Sequence, residues 1–306
     1  MHRVTIIAPP CLEATSNNLG KLSGLAQAGA ALFAAGLPDK LAAMDVAVDR
    51  ITQPELGADQ STGEPVSDLG AYNAKIAGIV SSALASGSFP LLAGGSCNHL
   101  PGVIGGLQRH FGPTSKIGLL WLDAHGDFNT PRTTRSGMLG GMPVAVISGL
   151  CHPAWRIGAG IVAPIPTDRM MMIDVRSLDE AEEALIRATD ISIVRHTDPG
   201  GEAGMLDAVS RFAQSVELLY VHIDADILDA SLQPNHPTVE PNGLSVDQTM
   251  TVVANAMQSG KVVAFGVVSI PTEPGGETSL STGLELLTRG VDQWKSSSPA
   301  YTSHKS

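Results

Sequence analysis

The sequence predicts an α/β fold in a single domain over residues 1–295, built on a mainly parallel eight-stranded sheet with helices on both faces. Three observations lead there. Short apolar runs rich in Val, Ile and Leu, too brief for helices, recur eight times along the chain. Longer segments with helical spacing separate them, and strand alternating with helix means parallel strands whose crossovers cover the sheet. No internal repeat occurs, and no linker rich in Pro, Ser or charge divides the 306 residues. A closed eight-stranded barrel has the same strand count and stands at this point as the rival architecture.

In chain order, the first strand is expected at VTIIAP and the first helix over LSGLAQAGAALFAAGL, residues 22–37. A second strand, MDVAVDRI, leads into TQPELGADQSTGEPVSDLG, a surface loop by its polar and turn-forming residues. The helix LGAYNAKIAGIVSSALASG follows, then the strands FPLLAGG, IGLLWLDA and RMMMIDV. Met170, Met171 and Met172 lie inside the last of these and are expected to fill the core rather than bind a soft metal. The helix SLDEAEEALIRA, the strand ISIVRH and the helix GMLDAVSRFAQSV come next, followed by the strand LLYVHIDAD. The helix SVDQTMTVVANAMQSG follows, and several of these helical segments are preceded by Ser, Asp or Pro and ended by Gly. The strand KVVAFGVVSI and the helix STGLELLTRGVDQW complete the pattern, and residues 296–306 are expected to fray.

Composition narrows the function. With 19 Lys and Arg against 30 Asp and Glu, the formal charge is -11, which leaves no basic surface for nucleic acid or an anionic membrane. Cys11, Cys97 and Cys151 are widely spaced and odd in number, so a disulfide framework is not expected and a reducing compartment is. The apolar stretch in MHRVTIIAPP is too short for a signal peptide core, and no run approaches the roughly 18 apolar residues of a membrane span. Cytoplasm is the expected location.

Ligand sites in parallel sheets form beyond the carboxyl ends of the strands, so the residues leaving each apolar run are the informative ones. Two runs leave through clustered carboxylates: LLWLDAHGDFNTP with Asp123, His125 and Asp127, and LLYVHIDADILDA with Asp224, Asp226 and Asp229. Alternation along an extended chain would aim Asp123, His125 and Asp127 one way, and likewise Asp224 and Asp226. Carboxylates gathered at one sheet end repel one another unless a cation compensates them. Such a donor set suits Mn²⁺, and bridging aspartates suit two metals about 3.5 Å apart or slightly more.

DAHGDFNTPRTTRSG and HIDADILDASLQP resemble the two aspartate signatures of the ureohydrolases, the arginase, agmatinase and formiminoglutamase family. AGGSCNHLPG falls where that family has a glycine pair followed by an acid and a histidine. The resemblance implies an open three-layer α/β/α fold and hydrolysis through a hydroxide bridging two Mn²⁺ ions per chain. It implies metal ligands at Asp123, His125, Asp127, Asp224 and Asp226, with Cys97 at the remaining ligand position and Asp229 holding the loop by hydrogen bonds. A thiolate there would be an anionic, softer donor than imidazole. His99 is an alternative donor unless a helix beginning at HLPGVIGGL turns it away. His222, on the face of Asp224, is expected to pack beside the site.

Departures from the family bear on the substrate. Asn129 and Ser136, with Thr134 between them, fall where amino-acid-binding members contact an α-carboxylate. Gly140 occupies the place of a proton-shuttling histidine, and no glutamate convincingly replaces the one that holds a guanidinium; Ser269, Pro271, Glu273 and Glu277 lie around that point. Both losses point away from arginine, toward a guanidino, N-hydroxyguanidino, ureido or formimino small molecule with a less basic or better-departing nitrogen. Asp127 is the expected carrier of the nucleophile's proton. The alternative is an impaired protein of the same fold acting as a binding or regulatory subunit. Homo-trimers or hexamers are what the resemblance implies for assembly.

Overall fold

The computed structural model describes residues 2–11, 25, 27–57, 59–272 and 275–297. Its eight strands are β1 (His2–Ile7), β2 (Val46–Thr52), β3 (Phe89–Ala93), β4 (Ile117–Leu122), β5 (Met170–Ile173), β6 (Ser192–Val194), β7 (Leu218–Asp224) and β8 (Val262–Val268). All adjacent pairs are parallel, in the order β2-β1-β3-β8-β7-β4-β5-β6. The sheet is open, not a barrel.

Helices α1 (Ala28–Ala34), α2 (Leu37–Ala43), α8 (Gly201–Ser215), α9 (Val246–Gln258) and α10 (Glu277–Ser296) cover one face. The other carries α3 (Pro65–Ala85), α4 (Leu100–Phe111), α5 (Pro143–Ile147), α6 (Pro153–Gly158) and α7 (Glu180–Arg187). Two cores result because strand side chains alternate. Leu120, Leu122, Leu219, Val221 and Ile223 pack with Val209, Val252 and Leu286 on the first face, whereas Leu119, Trp121 and Tyr220 pack with Ile76, Val103 and Val144 on the second. The central strands β3, β4, β7 and β8 are buried along their whole length, which is why each reads as a largely apolar run, broken in β7 by His222 and the terminal Asp224. Met170, Met171 and Met172 are core residues.

Some elements differ from expectation. The helix expected over 22–37 is interrupted: α1 ends before Gly36, whose φ of 83° begins the separate helix α2. That left-handed conformation is one glycine adopts at little cost. Helices α5 and α6 are too short to show a period in sequence. Helix α10 continues to Ser296, one residue past the expected boundary, and residues 298–306 and Glu273 lie outside the described residues. Among the described residues no helix is long and apolar enough to cross a membrane.

The strand order decides where chemistry can gather. Because β3, β8, β7 and β4 are consecutive across the sheet centre, their carboxyl-terminal exits share one edge. Gly266 on β8 helps to shape that region: a Cβ there would lie 2.6 Å from the Tyr220 hydroxyl, so the missing side chain leaves room for the tyrosine.

Candidate metal centre

Each of the four exits brings a polar group to the same point. After β3, Gly94 and Gly95 take φ of 87° and 79°, a pair of left-handed residues that reverses the chain into the turn Cys97–His99. Ser96 N donates to His99 Nδ1 at 3.0 Å and locks that turn. Cys97 Sγ is thereby held 3.0 Å from Asp224 Oδ2 and 3.7 Å from Asp123 Oδ2. After β8, Ser269 turns at φ 57° and donates Oγ–H to Asp224 Oδ2 at 2.6 Å.

The exits of β4 and β7 are tied to each other. His125 N donates to Asp123 Oδ1 at 2.6 Å, Asp226 N to Asp224 Oδ1 at 3.0 Å, and Ala124 N to Asp226 Oδ1 at 3.2 Å. His125 Nδ1 then sits 3.1 Å from Asp226 Oδ2 and 3.4 Å from Asp123 Oδ1. This corrects the alternation argument, because extended geometry stops at Leu122 in β4 and at Asp224 in β7. Carboxylate-capped turns converge the side chains instead. Asp127 has φ 45°, and Glu182 Oε1 accepts from Phe128 N at 2.8 Å behind it.

Burial of like charges governs the electrostatics. Burial, then Asp226, Asp224 and Asp127, push the Asp123 carboxyl well above its ordinary range; burial also raises Asp127. The Cys97 thiol is pushed up by burial and by Asp224. Burial pulls His125 down, but hydrogen bonding and charge from Asp123 and Asp226 win and raise it to about 12. Asp226 moves the other way: burial opposes ionisation, yet His125 holds it below the usual carboxylate range. His222 is buried and driven down to about 3, stacked on Trp121 at 4.2 Å and 4° with Tyr220 Oη 2.9 Å from its Nδ1. It packs beside the site as a neutral ring.

Donor atoms fall into three groups whose members lie within 4.8 Å of one another: Cys97, Asp123 and Asp224; Asp123, His125 and Asp226; Asp224, Asp226 and His236. Asp123, Asp224 and Asp226 each belong to two groups. A cavity of about 260 Å³ opens over them, lined also by Asp127, Asn129, Ser136 and Gly140. Two buried atoms facing this region, Asn129 Oδ1 and His236 Nε2, have no hydrogen-bond partner. Crowded carboxylates, shared donors and orphaned buried atoms together fit divalent cations.

Of the residues singled out in sequence, Cys97, Asp123, His125, Asp224 and Asp226 converge. Asp127 lines the cavity, but its carboxylate joins none of the three groups. Asn129 and the exposed Ser136 border the same cavity. His99 is fully buried against Tyr72 and lies outside the donor groups. Asp229 Oδ1 accepts from Ser231 N and Oγ at 3.1 and 2.7 Å, holding its loop. Glu277 begins α10, away from the cavity lining. Sequence reasoning missed His236 and Thr238, which lie on a proline-flanked loop with no periodicity; a histidine so soon after DADILDA was the one available signal.

The family model described as Arginase family matches residues 4–286, and the chain belongs to the arginase family. Over 176 residues it is 33% identical to the arginase of Bacillus caldovelox, covering 56% of this chain and 58% of that protein. The chain thus spans less than two thirds of that relative's length. It is 37% identical over 137 residues, 44% of each chain, to a Streptomyces lavendulae protein named N(omega)-hydroxy-L-arginine amidinohydrolase. The solved arginase of Bacillus subtilis overlays with a TM-score of 0.83 at 23% identity, covering 94% of this chain and 98% of that one. Entamoeba histolytica arginase in complex with L-ornithine gives 0.84 at 20% identity over 95% and 99%. These overlays establish the fold.

Proposed function

We propose that this chain, as one domain over residues 1–295, is a metal-dependent hydrolase of a non-peptide C–N bond in a guanidino, N-hydroxyguanidino, ureido or formimino substrate. The observation that carries it is the sharing of Asp123, Asp224 and Asp226 among the donor groups. Shared carboxylates are what a closely spaced cation pair requires. Cys97, Asp123, His125, Asp127, Asp224 and Asp226 would hold the pair, and Mn²⁺ matches the predominance of carboxylates. When bound, the cations supply a water-derived nucleophile at neutral pH and offset the charge that develops on the substrate.

The chain's own residues do the rest. Ser269 and Thr238 donate to Asp224 Oδ2 and Asp226 Oδ2 at 2.6 and 2.8 Å, fixing both carboxylates before substrate enters. Asp127 accepts the nucleophile's proton at its carboxylate and gives it to the departing nitrogen. Asn129, through its unpartnered Oδ1, and Ser136 at the rim take polar groups of the substrate. Gly140 transfers no proton, so the leaving nitrogen must depart with less assistance than arginine would need. The match to the N-hydroxyarginine amidinohydrolase supports a modified guanidine. The protein works in the cytoplasm, as a homo-trimer or hexamer.

Metal analysis and a substrate panel on one Mn²⁺-loaded preparation test this. Two ions per chain, with higher kcat/KM on N-hydroxyarginine or a formimino amino acid than on arginine, are expected. Equal rates on arginine overturn the substrate preference. At most one ion and no turnover across the panel would instead favour a regulatory subunit.

A further inference from the structure

We propose that His236 is a further nitrogen donor to the cation that Asp224 and Asp226 would share, an inference that rests on the metal-dependent function above. Its side chain is 2% exposed, and the residue sits between Pro234 and Pro237 on the loop after the turn Ala230–Leu232. Nε2 makes no hydrogen bond and lies 3.4 Å from Asp224 Oδ1, with Nδ1 3.9 Å from Asp226 Oδ2. A buried nitrogen whose nearest partner is so long a contact is under-satisfied unless something else occupies its lone pair.

Two other histidines, His99 and His152, also bury Nε2 without a hydrogen bond. Neither joins a donor group, so for them packing is a sufficient account. His236 differs because its donor atom lies within 4.8 Å of two aspartate oxygens.

The surroundings also set the proton correctly. A cation on Nε2 requires the ring proton on Nδ1 and an acceptor for it. Thr238 Oγ1 is 3.3 Å from Nδ1 and has already committed its own proton to Asp226 Oδ2 at 2.8 Å. Its lone pair can therefore accept from Nδ1–H. The backbone N–H of Thr238, also 3.3 Å from Nδ1, would give up that long contact when the ring proton takes its place.

The loop is not free to drift. Arg176 Nη2 donates to Glu240 O at 3.2 Å and to Asp226 O at 3.0 Å, while Ser177 Oγ donates to Glu240 Oε1 at 2.9 Å. These bonds join the loop end to the turn that carries Asp226. Carboxylate and imidazole from two adjoining segments are thus held ready for one ion.

Wild-type protein and the His236→Gln variant, stripped and reloaded with Co²⁺, provide the test. Cobalt-bound imidazoles give strongly shifted, exchangeable N–H resonances in proton NMR, and two are expected in the wild type, one each from His125 and His236. His236→Gln should lose one, keep the other, and bind one Co²⁺ at least tenfold more weakly, while the metal-free proteins melt alike. Unchanged resonances and affinity in the variant overturn the donor role but leave the metal-dependent function standing. If the variant does not fold, the wild type still decides: a single exchangeable imidazole resonance overturns the proposal. Wild-type protein that binds no cobalt overturns both.

Discussion

Cys97 Sγ lies 3.0 Å from Asp224 Oδ2 although the strands they follow, β3 and β7, are not neighbours; β8 runs between them. The turn after β3 therefore crosses the end of β8, and Ser269 N donates to Gly95 O at 3.0 Å to hold it there. Sulfur so placed becomes a soft, anionic donor when a cation displaces its proton. The Co²⁺-loaded protein is expected to show a near-ultraviolet sulfur-to-cobalt charge-transfer band. Cys97→Ser should abolish it, and a band that survives would return Cys97 to packing.

Asp123 is held up by burial and by Asp226, Asp224 and Asp127, so the metal-free fold favours its protonated form. Folded-state protonation stabilises at low pH, and that contribution is lost as pH rises from the ordinary 3.8 toward the elevated value. Metal-free Asp123→Asn should therefore melt higher than metal-free wild type at pH 8, with about 1 kcal/mol of relief giving roughly 2 °C. Loading with Mn²⁺ should reverse the order, since only the wild type keeps the shared carboxylate. Calorimetry of the four samples checks both signs.

The legible parts of this molecule were those where one physical constraint acts locally. Strands β4 and β7, buried on both faces, are largely apolar, with the buried His222 the exception inside β7, and the acids at their ends stand out against that background. The gathering of the acids follows from strand order, which the alternation of elements does not specify. It was reached through turns that Asp123 and Asp224 cap, not through the alternation of an extended chain. His236 was invisible for a related reason: its loop is positioned by Arg176 and Thr238 from distant or aperiodic segments. Helix α2 was missed because Gly36 looks like a helix terminus in sequence, whereas its left-handed backbone starts a second helix at Leu37.

Asp68, in the first turn of α3, accepts from Ser61 Oγ at 2.6 Å, Thr62 N at 2.6 Å, Thr62 Oγ1 at 2.8 Å and Gly63 N at 3.2 Å. The Ser61 hydroxyl first, then the Thr62 amide and hydroxyl, lower its carboxyl from 3.8 to about 2. A depressed carboxyl stabilises the fold above the ordinary value and loses that contribution as pH falls through about 2. NMR titration should place its midpoint near 2. Asp68→Asn should lower Tm at pH 7, with the deficit shrinking below pH 3.8; a midpoint at the ordinary value would remove the basis for both.

Arg176 braces the site without touching the proposed ligand atoms. Its guanidinium donates to the carbonyls of Asp226 at 3.0 Å, Ile227 at 3.2 Å and Leu228 at 3.4 Å, and across the gap to Glu240 at 3.2 Å and Pro241 at 3.1 Å. Asp174 Oδ2, 3.4 Å from Nη1, balances the charge, and the side chain is 14% exposed. Removing the guanidinium strands the buried carbonyls of the Asp226 turn and leaves Asp174 with His196, 2.7 Å from its Oδ1, as its remaining charged partner, so Arg176→Met should cost about 3 kcal/mol. Arg176→Lys should recover only part of this, because a single ammonium cannot reach both carbonyl sets of a planar fork. Loosening the Asp226 turn should also weaken one of two Co²⁺ sites about tenfold, or roughly 1.4 kcal/mol, while leaving the Cys97 charge-transfer band in place. Denaturant unfolding and a cobalt titration measure the two effects separately; a loss of stability with both cobalt sites intact would confine Arg176 to the fold.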